Sequence, residues 1–294
     1  MHKRNKHREA YDFPSLIKSL PELAPFVKPN NYGDESVDFF DPKAVFMLNR
    51  ALLKHYYRID YWEIPEHYLT PPIPGRADYI HHIADLLAMD NNGKIPLGEE
   101  VLCFDIGVGA NCIFPIIGHQ EYGWNFIGSE TDEQALKAAT KIVNRNKGLK
   151  EAIELRLQTN PKFLFKGVLK KDERIDITIC NPPFHASAKE AEQANIRKLS
   201  NLQKKTIRKA KLNFDGKSNE LWCPGGEVQF VCDMIYQSKK FADNCLWFTS
   251  LVSKESNLKA IYKALKNVGA EDVRTLNMGQ GNKVSRIVAW SFFE

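Results

Sequence analysis

The 294-residue chain has no run of about 18 apolar residues, so no membrane-crossing helix is expected. Its basic start has no apolar core behind it of the kind a secretion signal needs, and a cytoplasmic location is expected. Six cysteines, at positions 103, 112, 180, 223, 232 and 245, include no Cys-x-x-Cys pair. That spacing argues against both a zinc site and a disulfide framework. Several of these cysteines lie in apolar runs and read as small core residues, Cys223 and Cys232 least clearly. No metal is expected. No internal repeat and no coiled-coil seam is visible, which favours a monomer. Neither sign of charge dominates: 41 Lys and Arg against 36 Asp and Glu leave a net charge of +5. The length suits one large α/β domain with an accessory region.

What is present is a short motif with a chemistry. Asn181-Pro182-Pro183-Phe184 follows a strand-like run, Ile175–Cys180. An Asn side-chain oxygen and a neighbouring backbone carbonyl can both accept hydrogen bonds from one NH2 group. The prolines stiffen the loop, and the first restricts Asn181 to extended geometry. The aromatic ring that follows suits stacking on a planar base. The four residues read as a clamp for a flat, amine-bearing substrate, although Asn-Pro-Pro is also ordinary turn material.

Upstream, an apolar strand from Val101 runs into Asp105 and then Gly107-Val108-Gly109. Glycines there let a backbone approach a ligand closely. Cys112 stands where the dinucleotide fingerprint carries its third glycine. Asp105, two positions before the first glycine, would repel a pyrophosphate and suits a cation, such as the ammonium of S-adenosylmethionine. A second strand, Trp124–Ser129, ends at Glu130, where a doubly wound sheet places the acid that accepts from ribose hydroxyls. Ala135, Leu136, Ala138, Ala139, Ile142 and Val143 then recur at helical spacing behind Asp132 and Glu133. Three strand ends thus carry an acid and Gly-x-Gly, an acid, and the Asn-Pro-Pro-Phe clamp, in that order.

The chain resembles the adenine-N6 methyltransferases of bacterial large-subunit ribosomal RNA, the RlmF type. It is also similar to their eukaryotic relatives that methylate a spliceosomal small nuclear RNA. The resemblance runs nearly end to end. It rests on Lys3–Arg8, Phe39–Val45, Pro72–Ile80, Asp105-Ile106-Gly107, Asn181–Phe184, Gly225-Gly226-Glu227, Gly279-Gln280-Gly281 and Val288–Phe292. Asn-Pro-Pro-aromatic alone marks many amino-group methyltransferases; the blocks around Arg76 and Gly225 narrow the choice. The resemblance implies an α/β fold: a Rossmann-like class I S-adenosylmethionine-dependent methyltransferase sheet, helices on both faces, and an N-terminal helical accessory region. It implies S-adenosylmethionine as cofactor, held by Arg76, Asp105, Gly107, Gly109, Glu130 and Asn181. Arg76 would approach the methionine carboxylate, to which a guanidinium fork is matched. Asn181, Pro182, Pro183 and Phe184 would carry catalysis. Lys254, after a late strand, would sit by a loop that gates the cofactor pocket.

Ribosomal RNA or a pre-ribosomal particle is the expected partner. The first eight residues carry Lys3, Arg4, Lys6 and Arg8. A second basic cluster spans positions 197 to 217 and includes Lys204, Lys205, Arg208, Lys209 and Lys211. Phosphate backbones attract such clusters. The second lies in a region of about 186–220 that reads as a loop ordering on RNA. Residues 1–95 read as the accessory region for RNA binding and 96–294 as the catalytic domain. Tyr79, His81 and His82 lie on a predicted helix, Arg76–Met89, and are assigned no chemistry. Three other readings stay open: a DNA methyltransferase with a similar clamp, a protein-glutamine methyltransferase, whose motif normally has Tyr where Phe184 stands, and an RNA-binding scaffold with a vestigial pocket.

Overall fold

The computed structural model describes residues 1–190, 192–193, 218–280 and 283–293. The N-terminal region contains α1 (Phe13–Ser19), a β1–β2 hairpin (Val27–Pro29, Glu35–Val37), α2 (Pro42–Tyr57) and α3 (Ile73–Met89). Then follow β3 (Leu102–Ile106), α4 (Ile113–Tyr122), β4 (Asn125–Glu130), α5 (Glu133–Arg145), α6 (Leu149–Ala152), β5 (Ile153–Leu157) and β6 (Ile175–Cys180). A short turn, α7 (Ser218–Leu221), precedes α8 (Gly226–Ser238), β7 (Cys245–Val252), α9 (Leu258–Val268), β8 (Asp272–Gln280) and β9 (Lys283–Ser291).

The strands from β3 onward form one seven-stranded sheet in the order β5-β4-β3-β6-β7-β9-β8. β3 lies between β4 and β6 and is parallel to both, with Ile106 paired to Ser129 on one side and Cys180 on the other. The chain therefore winds outward from β3 in one direction and returns on the other side. That reversal opens a crevice beyond the carboxyl ends of these strands. β9 inserts antiparallel between β7 and β8, as the strand–helix–strand–strand ending predicts.

Alternate strand residues feed two cores, because successive side chains in a strand point to opposite faces. Cys103, Ile177, Trp247 and Ile287 join a cluster with α2, α3 and α4; Phe104, Phe248, Val288 and Trp290 join another with α8 and α9. Helices thus cover both faces. Arg76 through His81 of α3 are all buried in sequence, so this helix is enclosed on every side. It is the N-terminal region's main contribution to the sheet core.

Some elements were not evident in the pattern. β5 alternates charged with apolar residues at the sheet edge, and Arg156 pairs with both Glu154 and Glu173. α4 contains Pro115 and Gly118. The proline falls in the first turn, where no backbone N–H is missed. Gly118 is needed because the ring of Phe126 presses where its Cβ would be.

The basic start folds back on the helices. The His2 backbone N–H donates to Asp78 Oδ1 at 2.6 Å, Arg4 pairs with Asp85 at 2.7 Å and Lys6 with Glu121 at 2.8 Å. Lys3 and Arg8 are exposed. Lys204, Lys205, Arg208, Lys209 and Lys211 lie outside the described residues.

Candidate active site

A cavity of about 800 Å³ opens beyond the ends of β3, β4 and β6. Of the expected residues, Arg76, Gly107, Gly109, Glu130, Asn181 and Pro183 line it. Four separate segments of the chain thus converge at the point where the strand order reverses.

The loop after β3 is bent by three positive-φ residues: Gly107 at 78°, Gly109 at 64° and Cys112 at 52°. Cys112 thus takes a left-handed conformation that costs a non-glycine residue energy, at the place where the dinucleotide fingerprint has glycine. A Cβ on Gly107 would meet nothing within 4 Å, so this glycine borders open space. Trp62, from the N-terminal region, donates its indole N–H to the Asn111 carbonyl at 2.9 Å and ties the loop down.

Glu130 holds the same loop from below. Its Oε2 accepts from the Gly109 N–H at 3.0 Å, while Oε1 accepts from the Thr131 and Asp132 N–H groups at 2.7 and 3.1 Å. An acid expected only to meet ribose hydroxyls is also the fastener of the glycine turn. Oε2, with one protein partner, keeps acceptor capacity on the cavity side.

Asp105 and Arg76 are the electrostatic centre. Asp105 is fully buried, and neither carboxylate oxygen has a hydrogen-bond partner. Burial, reinforced by the Glu130 carboxylate, pushes its pKa well above the usual carboxylate range, although the Arg76 guanidinium opposes the shift. Arg76 is itself buried and comes down to about 10 through desolvation. Its guanidinium lies 5.4 Å from the Phe114 ring centre, and Nη1 donates to Asn181 Oδ1 at 3.0 Å. A buried anion lacking a donor and a buried cation facing a neutral amide are each costly alone. Arg76 lines the cavity, whereas Asp105 lies behind its lining.

Asn181 leaves β6 at the mouth of the cavity with Pro182 buried behind it. Phe184 is half-buried against the core. Phe184 is not among the residues lining the cavity; among the described residues the aromatic lining comes from Phe114, Phe163, Trp222 and Phe230. The position of Trp222 follows from a bridge: His185 N–H donates to the Leu221 carbonyl at 3.1 Å, and Cys223 N–H donates to the His185 carbonyl at 3.0 Å. The Trp222 indole N–H is buried without a partner. The sequence shows Trp222 only as part of the block before Gly225, and nothing local marks it as facing Asn181. Glu220 was equally unmarked; it accepts from the Leu69 N–H at 3.1 Å and so joins α7 to the segment before α3.

Glu227, buried at the start of α8, accepts from the Ser253 N–H at 2.7 Å and from Asn257 Nδ2 at 2.6 Å. It anchors the loop after β7. Lys254 in that loop pairs with Glu190 at 3.3 Å.

A seven-stranded α/β sheet with its last strand inserted antiparallel and a cavity at the switch point is the architecture of a class I S-adenosylmethionine-dependent methyltransferase. A family model described as RNA methyltransferase matches residues 1–294. The chain belongs to that RNA methyltransferase family. It is 58% identical over 292 residues to the Ribosomal RNA large subunit methyltransferase F of Cytophaga hutchinsonii, covering 99% of this chain and 91% of that protein. The Serratia proteamaculans protein of the same name is 56% identical over 295 residues, covering 100% and 88%. Among solved structures, the catalytic domain of human METTL16 in complex with the MAT2A 3′UTR hairpin 1 superposes with a TM-score of 0.83 at 28% identity, covering 100% of this chain and 96% of that one. The N-terminal domain of human METTL16 in complex with SAH gives 0.78 at 27% identity, covering 100% and 99%.

Proposed function

We propose that this protein methylates the N6 amino group of an adenine in 23S ribosomal RNA of the large subunit. One observation carries the reading: Asn181 lines the same cavity as Gly107, Glu130 and Arg76, so amine acceptor and cofactor subsite face one space. The large-subunit substrate is supported by the names of the bacterial relatives, and a structured RNA by the hairpin bound to METTL16.

When bound, S-adenosylmethionine supplies an electrophilic methyl group that needs no further activation. The chain's task is to hold the amine. Asn181 Oδ1 and the Pro182 carbonyl accept one proton each from N6, which turns the nitrogen toward tetrahedral geometry and frees its lone pair from the ring. Phe184 and Trp222 offer faces for the extruded base, whose removal from a stack costs a few kcal/mol. Asp105 and Arg76 hold the amino-acid end of the cofactor, and Glu130 Oε2 faces its ribose. Alignment of this kind supplies on the order of 7 kcal/mol or more of a methyl-transfer barrier. The proton lost from N6 passes to water after transfer, so no side-chain base is required.

In the same proposal, residues 1–95 contact RNA and 96–294 carry catalysis, with α3 reaching across. Lys3 and Arg8 present free charge, whereas Arg4 and Lys6 divide theirs with Asp85 and Glu121. The basic cluster around Lys204–Lys211 grips phosphate. The protein acts as a monomer in the cytoplasm, where its substrate is assembled. Among the described residues no helix is long and apolar enough to cross a membrane.

Deproteinised 23S RNA incubated with methyl-labelled cofactor, digested and resolved by nucleoside, is the test. Label in N6-methyladenosine is expected. An unlabelled RNA, or label confined to another nucleoside, would overturn the assignment.

A further inference from the structure

We propose that Tyr79, on α3, is a positioning residue that fixes the peptide bearing the Asn181 clamp; the inference rests on the function proposed above and deepens it. Tyr79 is fully buried, is not among the residues lining the cavity, and meets Phe114 edge to face at 5.3 Å. Its ring reads as plain core. Its hydroxyl does not. The phenolic oxygen lies 2.9 Å from Thr249 Oγ1 and 3.4 Å from both the N–H and the carbonyl of Cys180, the residue before Asn181.

Proton accounting orients this relay. Thr249 has one hydroxyl proton and donates it to the Thr178 carbonyl. Its lone pairs therefore face Tyr79, which must donate its own single proton to Thr249. The Tyr79 oxygen is then left to accept from the Cys180 N–H. Thr178 Oγ1 in turn accepts from the Thr249 N–H at 2.9 Å. Two hydroxyls and a phenol thus lace α3, β6 and β7 together.

The lacing sits where the sheet needs it. Backbone pairing of β6 with β7 is recorded at Ile175↔Cys245 and Ile177↔Trp247 and goes no further toward the site. Beyond them on that side, Thr178 is tied to Thr249 and Cys180 to Tyr79 by side-chain hydrogen bonds. On its other edge β6 stays paired with β3 as far as Ile106↔Cys180, so Tyr79 and Thr249 add the hold on the β7 side of the peptide that leads into Asn181. One turn earlier on the same helix face, Arg76 holds the Asn181 side-chain oxygen. Helix α3 therefore grips the clamp twice, by backbone through Tyr79 and by side chain through Arg76. Displacement of a reacting group by about 1 Å can cost on the order of 100-fold in rate.

The test uses the full chain and three substitutions outside the cavity lining: Tyr79→Phe, which keeps the buried ring, Thr249→Val, and the conservative Thr249→Ser. With 23S RNA as substrate, Tyr79→Phe and Thr249→Val are expected to lower kcat about tenfold. The dissociation constant and stoichiometry for S-adenosylhomocysteine, read by calorimetry, should stay within twofold, and Thr249→Ser should keep near-normal kcat. A second arm needs no substrate: deuterium uptake by the peptide spanning 175–184 should quicken in Tyr79→Phe while peptides from β3 and β4 stay unchanged. Unaltered kcat in Tyr79→Phe overturns the inference, as does a parallel fall of kcat and cofactor-analogue stoichiometry, which marks a merely structural residue. If the unsubstituted protein leaves 23S RNA unmethylated, the substrate assignment fails, and unaltered uptake at 175–184 alone then decides against Tyr79.

Discussion

The Nη1 of Arg76 donates to Oδ1 of Asn181 at 3.0 Å, across 105 residues of chain. A residue of the cofactor subsite and a residue of the amine clamp thereby share one hydrogen bond. A guanidinium has further donors for a carboxylate, so Arg76 can hold Asn181 and meet the methionyl carboxylate together. Whatever moves one end of this pair is felt at the other.

Asn181→Ala is expected to reduce methyl transfer at least 1000-fold, taking about 4 kcal/mol of transition-state stabilisation. Binding of S-adenosylhomocysteine should change by less than about threefold. Asn181→Asp should be as inactive and should also bind the cofactor less tightly, because its carboxylate captures Arg76 as an ion pair. Calorimetry of the two variants checks the contrast; equal cofactor affinity in both would break the link drawn between Arg76 and Asn181.

Asp105→Asn should trade function for stability. A neutral amide removes the cost of ionising a buried, unpartnered acid, and at a pH above the folded-state pKa the melting temperature of the ligand-free protein should rise by about 2–4 °C for a gain of about 1 kcal/mol. Cofactor affinity should fall by about 10- to 100-fold with loss of a charge-assisted contact to the ammonium. Thermal melts with and without S-adenosylhomocysteine measure both; a lower melting point in the free variant contradicts the solitary burial of Asp105.

The pH dependence has a definite sign. The folded-state pKa of Asp105 is raised, so the protonated form is favoured in the folded protein. Its contribution to stability is whole below the ordinary value of 3.8 and is lost as pH rises toward the folded pKa. An arriving ammonium favours the carboxylate and expels the proton. Arg76, brought down to about 10, stays charged across the neutral range. Cofactor binding should therefore release protons, and should tighten as pH rises above the ordinary carboxylate range. Calorimetry in buffers of different ionisation enthalpy reads the release, and a buffer-independent heat throughout the pH range where the protein is folded would speak against it.

Glu130→Ala should behave oppositely to Asp105→Asn in the melt. It strips acceptors from the Gly109, Thr131 and Asp132 N–H groups. We expect about 2 kcal/mol of destabilisation together with weaker cofactor binding. Denaturant midpoints and S-adenosylhomocysteine titration on the same preparation check the pair of effects; unchanged stability would show that the glycine turn does not depend on this acid.

The candidate site was legible wherever neighbours in sequence stand together. Asp105 with its glycines, Glu130 at a strand end and the Asn181–Phe184 loop stand out because backbone conformation and side-chain chemistry are encoded within a few residues, and the structure brings Gly107, Gly109, Glu130, Asn181 and Pro183 to one cavity. Periodicity marked individual strands and helices, and the family resemblance supplied the order in which they form the sheet. The tertiary structure decided what each group meets: that Asp105 is buried without a donor, that Glu130 fastens the turn it follows, that Arg76 reaches Asn181, that Tyr79 laces two strands, and that Trp222 faces the cavity. It also spent the charges of Arg4 and Lys6 on Asp85 and Glu121. A local pattern fixes which conformations and proton donors a segment offers; which acceptor it finds depends on crossovers that join distant residues, and those are set by how the apolar faces pack.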